Sequence, residues 1–459
     1  MPASPSTARA INDRVALCLL QQEGPLTAGE LKRLTGLSRP TVADLVDRLT
    51  AAGLITVVGE SGAQRRGPNA RLYGIVADRA HLAALDVRTG GVSVLVSDLV
   101  GRVLAEASVP IGGGTGTGTA VERAVAAVER AAKEAGAGRL HTVGIGAPGL
   151  IDPATGDLRD SGGLPAWHRR LVAALQERLP EARVTVENET NLAALAEQRE
   201  GAARDRDTFV LLWLGHGVGA AVVLDGALRR GASGGTGEIG FLPVPGTTSL
   251  PSAGDCDGGF HSLAGAAAIG DLARKCGLLA PEAADGPGAT DGPGAAAVVR
   301  DAVAAVANTG AESAGADAGA RPVGGGVDPV PEGGLAGLVS ESGGAGPRPD
   351  GGNADPASEG GGAGPASARF LDVLADRIAL GVASVVAVLD PGCVVLGGEI
   401  GRAGGVELAG RVERRIRRMS PLATEVRASG LGGAAVLRGA LLTARDRAQD
   451  ELFAPPERP

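Results

Sequence analysis

Residues 187–191 read Glu-Asn-Glu-Thr-Asn, which puts two carboxylates and two carboxamides within five positions. A carboxylate flanked by asparagines can hold a sugar hydroxyl and take its proton. The same residue types also cap helices, because Asn and Thr oxygens accept from orphan backbone amides. Both readings stand on this window alone. Val184 and Val186 alternate with polar neighbours ahead of the cluster, as in a strand. Leu192, Leu195 and Glu197 follow in an Ala-rich run that predicts a helix. Ligands of open α/β folds sit at such strand-to-helix junctions. Asn188 and Glu189 are therefore candidate contacts to sugar hydroxyls.

A second set of polar residues lies near the start of the chain. Apolar residues at 11, 15, 19 and 20 predict a helix that Gly24-Pro25 ends. Thr27 and Glu30 have the spacing of a capping box before Leu31 and Leu34. Ser38 caps a third predicted helix, with Pro40 in its first turn and Val42, Leu45, Val46 and Leu49 facing inward. Two short strands, "LITVV" and "RLYGIV", flank "GESGAQRRGPNA". Helix, helix, turn, helix and a two-stranded wing make a winged helix-turn-helix over residues 1–76. Ser38, Arg39, Thr41 and Asp44 at the start of the third helix are candidates for base edges. Arg65 and Arg66 in the wing are candidates for phosphates or a minor groove. Residues 9–71 hold nine Lys/Arg and six Asp/Glu, about +3, against −8 for the whole chain. Such a charge split is expected when one end meets duplex DNA.

The 459 residues leave room for two or three domains. Aromatic residues are only 2%, so the core must be built from Ala, Val and Leu. No apolar run approaches a membrane span, and the first residues lack the apolar centre of a signal peptide. A cytoplasmic protein without a membrane partner is expected, its four scattered cysteines as free buried thiols. From residue 77 onward, strands and helices alternate as two α/β halves with glycine turns at strand ends.

Six motifs in this region carry a family resemblance: "GIGAPG" at 144–149, "LPAW" at 164–167, "ENETN" at 187–191, "GHGVG" at 215–219, "GASGGTGEIG" at 231–240 and "LGGEIG" at 396–401. In this order and spacing they resemble the ROK family of sugar kinases and sugar-responsive repressors. The resemblance implies a two-lobed, actin-like (hexokinase-like) domain over residues 77–459, and the fused winged helix resembles the repressor branch. It places the family's catalytic Asp at Glu189, one methylene longer, and a sugar-contacting Glu at Glu238. It also marks Asp86, Gly215, Gly217, Gly397 and Gly398 as nucleotide-like turns. Arg88 stands where the family's phosphate loop needs glycine, which argues against tight ATP binding. Phe241 replaces a family His, Gly163 a family Asn, and only Cys256 remains of the zinc thiolates, with His261, Asp255 and Asp257 nearby. No metal and no cofactor are therefore expected.

Residues 279–368, and most clearly about 281–366, are dominated by Gly, Ala, Pro, Asp and Ser. This composition predicts an acidic disordered insert with one short helix at 295–306, dispensable for folding. "RVERRIRRM" at 411–419 predicts a basic helix with a solvated face. The expected protein is thus a DNA-binding transcriptional regulator, a repressor, in homodimers or homotetramers. It answers to a sugar or sugar-phosphate effector and has lost catalysis. The alternatives are an ATP-dependent sugar kinase that also carries a DNA-binding domain, and a regulator answering to a protein partner on the insert.

Overall fold

The computed structural model describes residues 5–61, 70–159, 164–252, 257–279, 293–317 and 363–454. Arg65 and Arg66, Gly163, and Asp255 and Cys256 lie outside the described residues, as does most of the insert.

The N-terminal module follows its caps. Helix α1 (Pro5–Glu23) ends at Gly24, a two-residue strand β1 (Leu26–Thr27) follows, and α2 (Ala28–Thr35) begins at Thr27. The Thr27 backbone amide donates to Glu30 Oε2 at 2.8 Å, and the Glu30 amide donates to Thr27 Oγ1 at 3.2 Å. This reciprocal cap satisfies two donors that an uncapped helix leaves open. Helix α3 (Arg39–Ala51) buries Val42, Leu45, Val46 and Leu49. Strands β2 (Ile55–Ser61) and β3 (Ala70–Ile75) complete a small sheet in the order β1-β3-β2.

The rest is two lobes with one repeated topology. In the first lobe β4 (His81–Arg88), β5 (Gly91–Asp98) and β6 (Val103–Pro110) form an antiparallel meander, and helix α4 (Thr117–Glu134) follows. Strand β7 (Thr142–Ala147), helix α5 (Trp167–Arg178) and strand β8 (Arg183–Asn188) then add two parallel strands beside β4. Helix α6 (Glu189–Glu200) leads to the second lobe, where β9 (Phe209–Leu214), β10 (Val218–Leu224) and β11 (Ala227–Arg229) repeat the meander. After α7 (His261–Ala264), α8 (Ala266–Lys275), α9 (Pro293–Asp317) and α10 (Ala363–Leu389) come β12 (Cys393–Gly397), α11 (Gly398–Met419) and β13 (Glu425–Ala428). Strands β12 and β13 are parallel to each other and to β9. The orders β6-β5-β4-β7-β8 and β11-β10-β9-β12-β13 are the same pattern used twice.

Helix α12 (Ala435–Leu452) closes the chain and packs closely along α6. A Cβ added at Gly439 would sit 2.0 Å from the Leu192 carbonyl oxygen, so only glycine permits this crossing. One buried cluster runs from Leu17 and Leu20 of α1 through Leu82 and Leu95 to Leu441 and Phe453. The winged module therefore shares a core with the first lobe. Full burial of a Leu or Phe side chain is worth about 1.5–3 kcal/mol.

Two expectations fail here. The helix expected at 295–306 is present within the longer α9, but it is not dispensable: Val299 and Ala302 on it are buried in the second lobe's core with α10 and α11. Alanine and valine are small enough for close helix packing, so a Gly/Ala-rich composition hid a core element. The basic stretch at 411–419 is not a solvated face throughout. Arg411 is buried and pairs with Asp372 of α10 at 2.7 Å and with Glu407 at 2.7 Å, and Arg415 pairs with Asp372 at 2.8 Å. Glu407 is an i,i+4 neighbour within the helix, but Asp372 sits 39 positions upstream of Arg411, where no local pattern connects them.

Candidate functional site

Helix α3 presents an open first turn. The Ser38 hydroxyl accepts from the Thr41 amide at 3.3 Å and lies 2.8 Å from the Thr41 hydroxyl, so these two side chains hold the cap together. Arg39 is exposed beside them and extends from the cap. Asp44 is occupied by Arg48, which also pairs with Asp13 of α1 at 2.6 Å. Arg48 thus fastens α3 to α1, while Asp44 pairs with it within α3 and faces solvent. Lys32 and Arg33 in the last turn of α2, and Arg71 at the start of β3, are exposed too. The sequence reading passed over these three because no motif marks them.

The second set of residues meets at the ends of β4, β8 and β9. Glu189 is the first residue of α6, immediately after strand β8. Asn188 caps that helix, its Oδ1 accepting from the Thr190 amide at 2.9 Å and the Asn191 amide at 3.2 Å. Its Nδ2 donates to the Gly149 carbonyl at 3.0 Å, which ties the junction to the loop after β7. Glu187 accepts from Asn191 Nδ2 at 3.0 Å and pairs with Arg230 at 2.6 Å. The capping function of this cluster is therefore built, and it aims Glu189 inward.

The Glu189 carboxyl is enclosed by protein, and its Oε2 has no hydrogen-bond partner. Burial is the main reason its pKa rises to about 7, with the charge of Arg88 opposing and those of Asp86 and Glu238 adding. Glu238 precedes the 3-10 turn Ile239–Phe241; the residue is exposed to solvent, and the protein packed around its carboxyl raises its pKa. Asp86 is buried, and burial raises its pKa against the pull of Arg88.

Arg88 is the most connected side chain here. Its Nε and Nη2 donate to the two Asp86 oxygens at 2.6 and 3.1 Å, and Nη1 donates to Glu399 Oε1 at 2.8 Å. Its guanidinium carbon lies 5.0 Å from the centre of the Trp213 ring. Burial alone would lower its pKa, but Asp86 and Glu399, with Glu189 behind them, keep it charged. Arg88 belongs to the first lobe, whereas Glu399 and Trp213 belong to the second. Trp213 and Glu399 were missed from the sequence, although Glu399 lies inside "LGGEIG". His168 was also missed. It is buried edge-on to Trp167, with ring centres 4.3 Å apart. Burial pushes its pKa down to about 4 with a partial offset from the Arg88 backbone, and neither ring nitrogen makes a hydrogen bond of normal geometry.

The glycine turns line the second-lobe wall. The Gly215 amide donates to the Gly217 carbonyl at 3.0 Å, and a Cβ on Gly215 would meet Glu399 Oε2 at 2.4 Å. Gly398 has φ of 77° and leaves no room for a Cβ beside the Leu214 carbonyl, while Gly397 packs on Leu211. Gly217 borders open space. At the family's zinc position, His261 starts α7 and its ring lies over Gly265. Among the described residues, no three His, Cys, Asp or Glu side chains group as metal ligands. Cys276 and Cys393 are buried free thiols as expected, but Cys18 is exposed, on the outer side of α1. No described helix is long and apolar enough to cross a membrane.

Residues 83–277 match the ROK family model, and residues 15–67 match that of the MarR family. The chain is 26% identical over 244 residues to the DNA-binding transcriptional dual regulator NagC of Escherichia coli, covering 51% of this chain and 58% of that one. It is 24% identical over 238 residues to the xylose repressor of Caldicellulosiruptor bescii, covering 51% of this chain and 59% of that one. The chain thus spans less than two thirds of the length of these curated relatives. A solved ROK family transcriptional regulator, described as a homologue of the E. coli MLC protein, superposes with a TM-score of 0.66 at 20% identity, covering 97% of this chain and 98% of that one. That likeness takes in the winged module as well as both lobes. Residues 83–277 thus form a ROK family domain, with a MarR-type winged helix-turn-helix region over residues 15–67 ahead of it.

Proposed function

We propose that this protein is a DNA-binding transcriptional regulator, a repressor, whose ROK cleft binds a sugar effector and no longer phosphorylates it. The observation that carries the reading is the shared core between a base-reading module and a two-lobed sugar-kinase-like body. A ligand that closes the lobes can then bias the position of α3, provided it binds the two states unequally. The names of the relatives, a transcriptional dual regulator and a xylose repressor, support the same reading. Asn188, Glu189 and Glu238 are the sugar contacts in this proposal, and Ser38, Arg39 and Thr41 the DNA contacts. Two copies reading two half-sites is the usual geometry of such modules. A gel shift on the promoter upstream of its own coding region, with and without a panel of sugars, tests the proposal. Retarded DNA that a sugar releases is the expected result. DNA that is never retarded would defeat it.

One observation favours a second reading. A carboxyl with a pKa about 7 and a free oxygen has the properties of a general base. A sugar kinase needs such a group. It also needs a phosphate clamp, and Arg88, bound to Asp86, Glu399 and Trp213, is not free to serve as one. A coupled assay with ATP and hexoses decides between the two readings, since measurable turnover restores the enzyme.

A further inference from the structure

The effector proposed above is either a free sugar or a sugar phosphate, and the charges around Glu189 separate these. Four acidic side chains face this part of the cleft: Asp86, Glu189, Glu238 and Glu399. Arg88 is the cation that acts most strongly on Glu189. Arg230, the next cation along the junction, is paired to Glu187 at 2.6 Å. Arg88 itself has a bidentate partner in Asp86, a second in Glu399 and the Trp213 face beneath it. A phosphate entering here meets these acidic groups, and both guanidiniums named here, Arg88 and Arg230, already hold carboxylate partners. Like charges placed together in a cleft of low dielectric repel strongly. The enclosed Glu189 carboxyl, by contrast, has an oxygen with nothing to accept from. A buried acceptor left open is costly, and a ligand hydroxyl relieves that cost.

We propose that Arg88 and Glu399 are specificity-determining residues, and that they restrict the effector to an uncharged polyol while excluding sugar phosphates and nucleotides. Glu399 holds the guanidinium of Arg88 toward the second lobe and away from any incoming anion. Glu189, unpartnered, supplies the acceptor that a sugar hydroxyl fills. This inference rests on the reading of the cleft as a sugar site.

Isothermal titration of the full chain with glucose, xylose and N-acetylglucosamine, each beside its phosphate ester, and with magnesium ATP, tests it. At least one free sugar should bind, about tenfold or more tighter than its phosphate, which corresponds to a difference of one power of ten in Kd. Glu399→Gln, at a partly exposed position, should bind the phosphate ester about tenfold tighter than the unaltered protein does, because it removes one negative charge and one claim on Arg88. Its affinity for the free sugar should change by less than about threefold, with an unchanged melting temperature showing that it is folded. A phosphate ester that binds the unaltered protein more tightly than its free sugar overturns this inference and leaves the regulator reading intact. A Glu399→Gln protein with unaltered phosphate affinity removes Glu399 from the explanation and overturns the proposed pair. If neither free nor phosphorylated sugars bind, the sugar-sensor reading itself fails and takes this inference with it.

Discussion

Gln449 Nε2, near the end of the last helix, donates to Gln21 Oε1 of the first helix at 2.8 Å and also to the Leu99 carbonyl at 3.1 Å. Gln21 in turn donates to the Val100 carbonyl at 3.1 Å, and Arg14 pairs with Asp450 beside them. The helix that packs along α6, the helix Glu189 begins, therefore also touches the winged module. Packed and hydrogen-bonded residues thus connect α6 to the winged module through α12.

Gln449→Ala should interrupt that connection. Each net hydrogen bond is worth about 0.5–1.5 kcal/mol, so the melting temperature should fall by only a few degrees. In a gel shift, DNA should still be retarded, but sugar should release less of it. A folded variant with an undiminished sugar response would show that the contact only fastens the module in place.

Arg39→Ala should weaken DNA binding without unfolding the module. The side chain is exposed and takes no part in the Ser38–Thr41 cap. Losing one bidentate base contact costs about 1–3 kcal/mol, or roughly five- to 150-fold in affinity. Fluorescence anisotropy with a labelled promoter fragment measures it, with circular dichroism as the control for folding. Equal affinity would remove the first turn of α3 as the reader.

The raised pKa of Glu189 fixes the sign of a pH effect. The folded protein holds a proton on this group up to about pH 7, whereas an unfolded chain releases it near the ordinary glutamate value of 4.5. The native state binds more protons between those values, so stability falls as pH rises from about 4.5 to about 7 and levels off above. The effect should be on the order of 3 kcal/mol for this one group. Melting temperatures of the unaltered protein and of Glu189→Gln across pH 5 to 8 provide the comparison. The variant should lose this component of the slope, and two parallel curves would show that Glu189 is not the group responsible.

Val299→Asp should destabilise the second lobe severely. Val299 is wholly buried on α9 against α10 and α11. An unpaired charge there costs about 3–5 kcal/mol. Deleting residues 285–360 should be worse still, because it removes α9 altogether, and soluble, monodisperse protein after that deletion would contradict the packing.

Local chemistry was legible wherever a residue acts on its immediate neighbours. The Thr27–Glu30 box, the Ser38 cap with Pro40, and the buried face of α3 appear in the structure as the spacing implied. The "ENETN" cluster showed both of its possible roles, and the structure uses Asn188 and Glu187 as cap and brace while leaving Glu189 open. The failures share a cause. Arg411 was read as solvated because Asp372 lies 39 positions away, and α9 was read as a minor helix because its small residues resemble linker composition.

The sequence by itself determined the family, the reading module and the candidate carboxylates, because caps, periodicity and ordered motifs are encoded by near neighbours along the chain. Only the tertiary structure decided what Arg88 does. From the sequence it was a bulky side chain in a place that wants glycine. In three dimensions it joins two lobes through Glu399, 311 positions away, and over the Trp213 ring. Charge acts through space, and the fold alone decides which charges become neighbours.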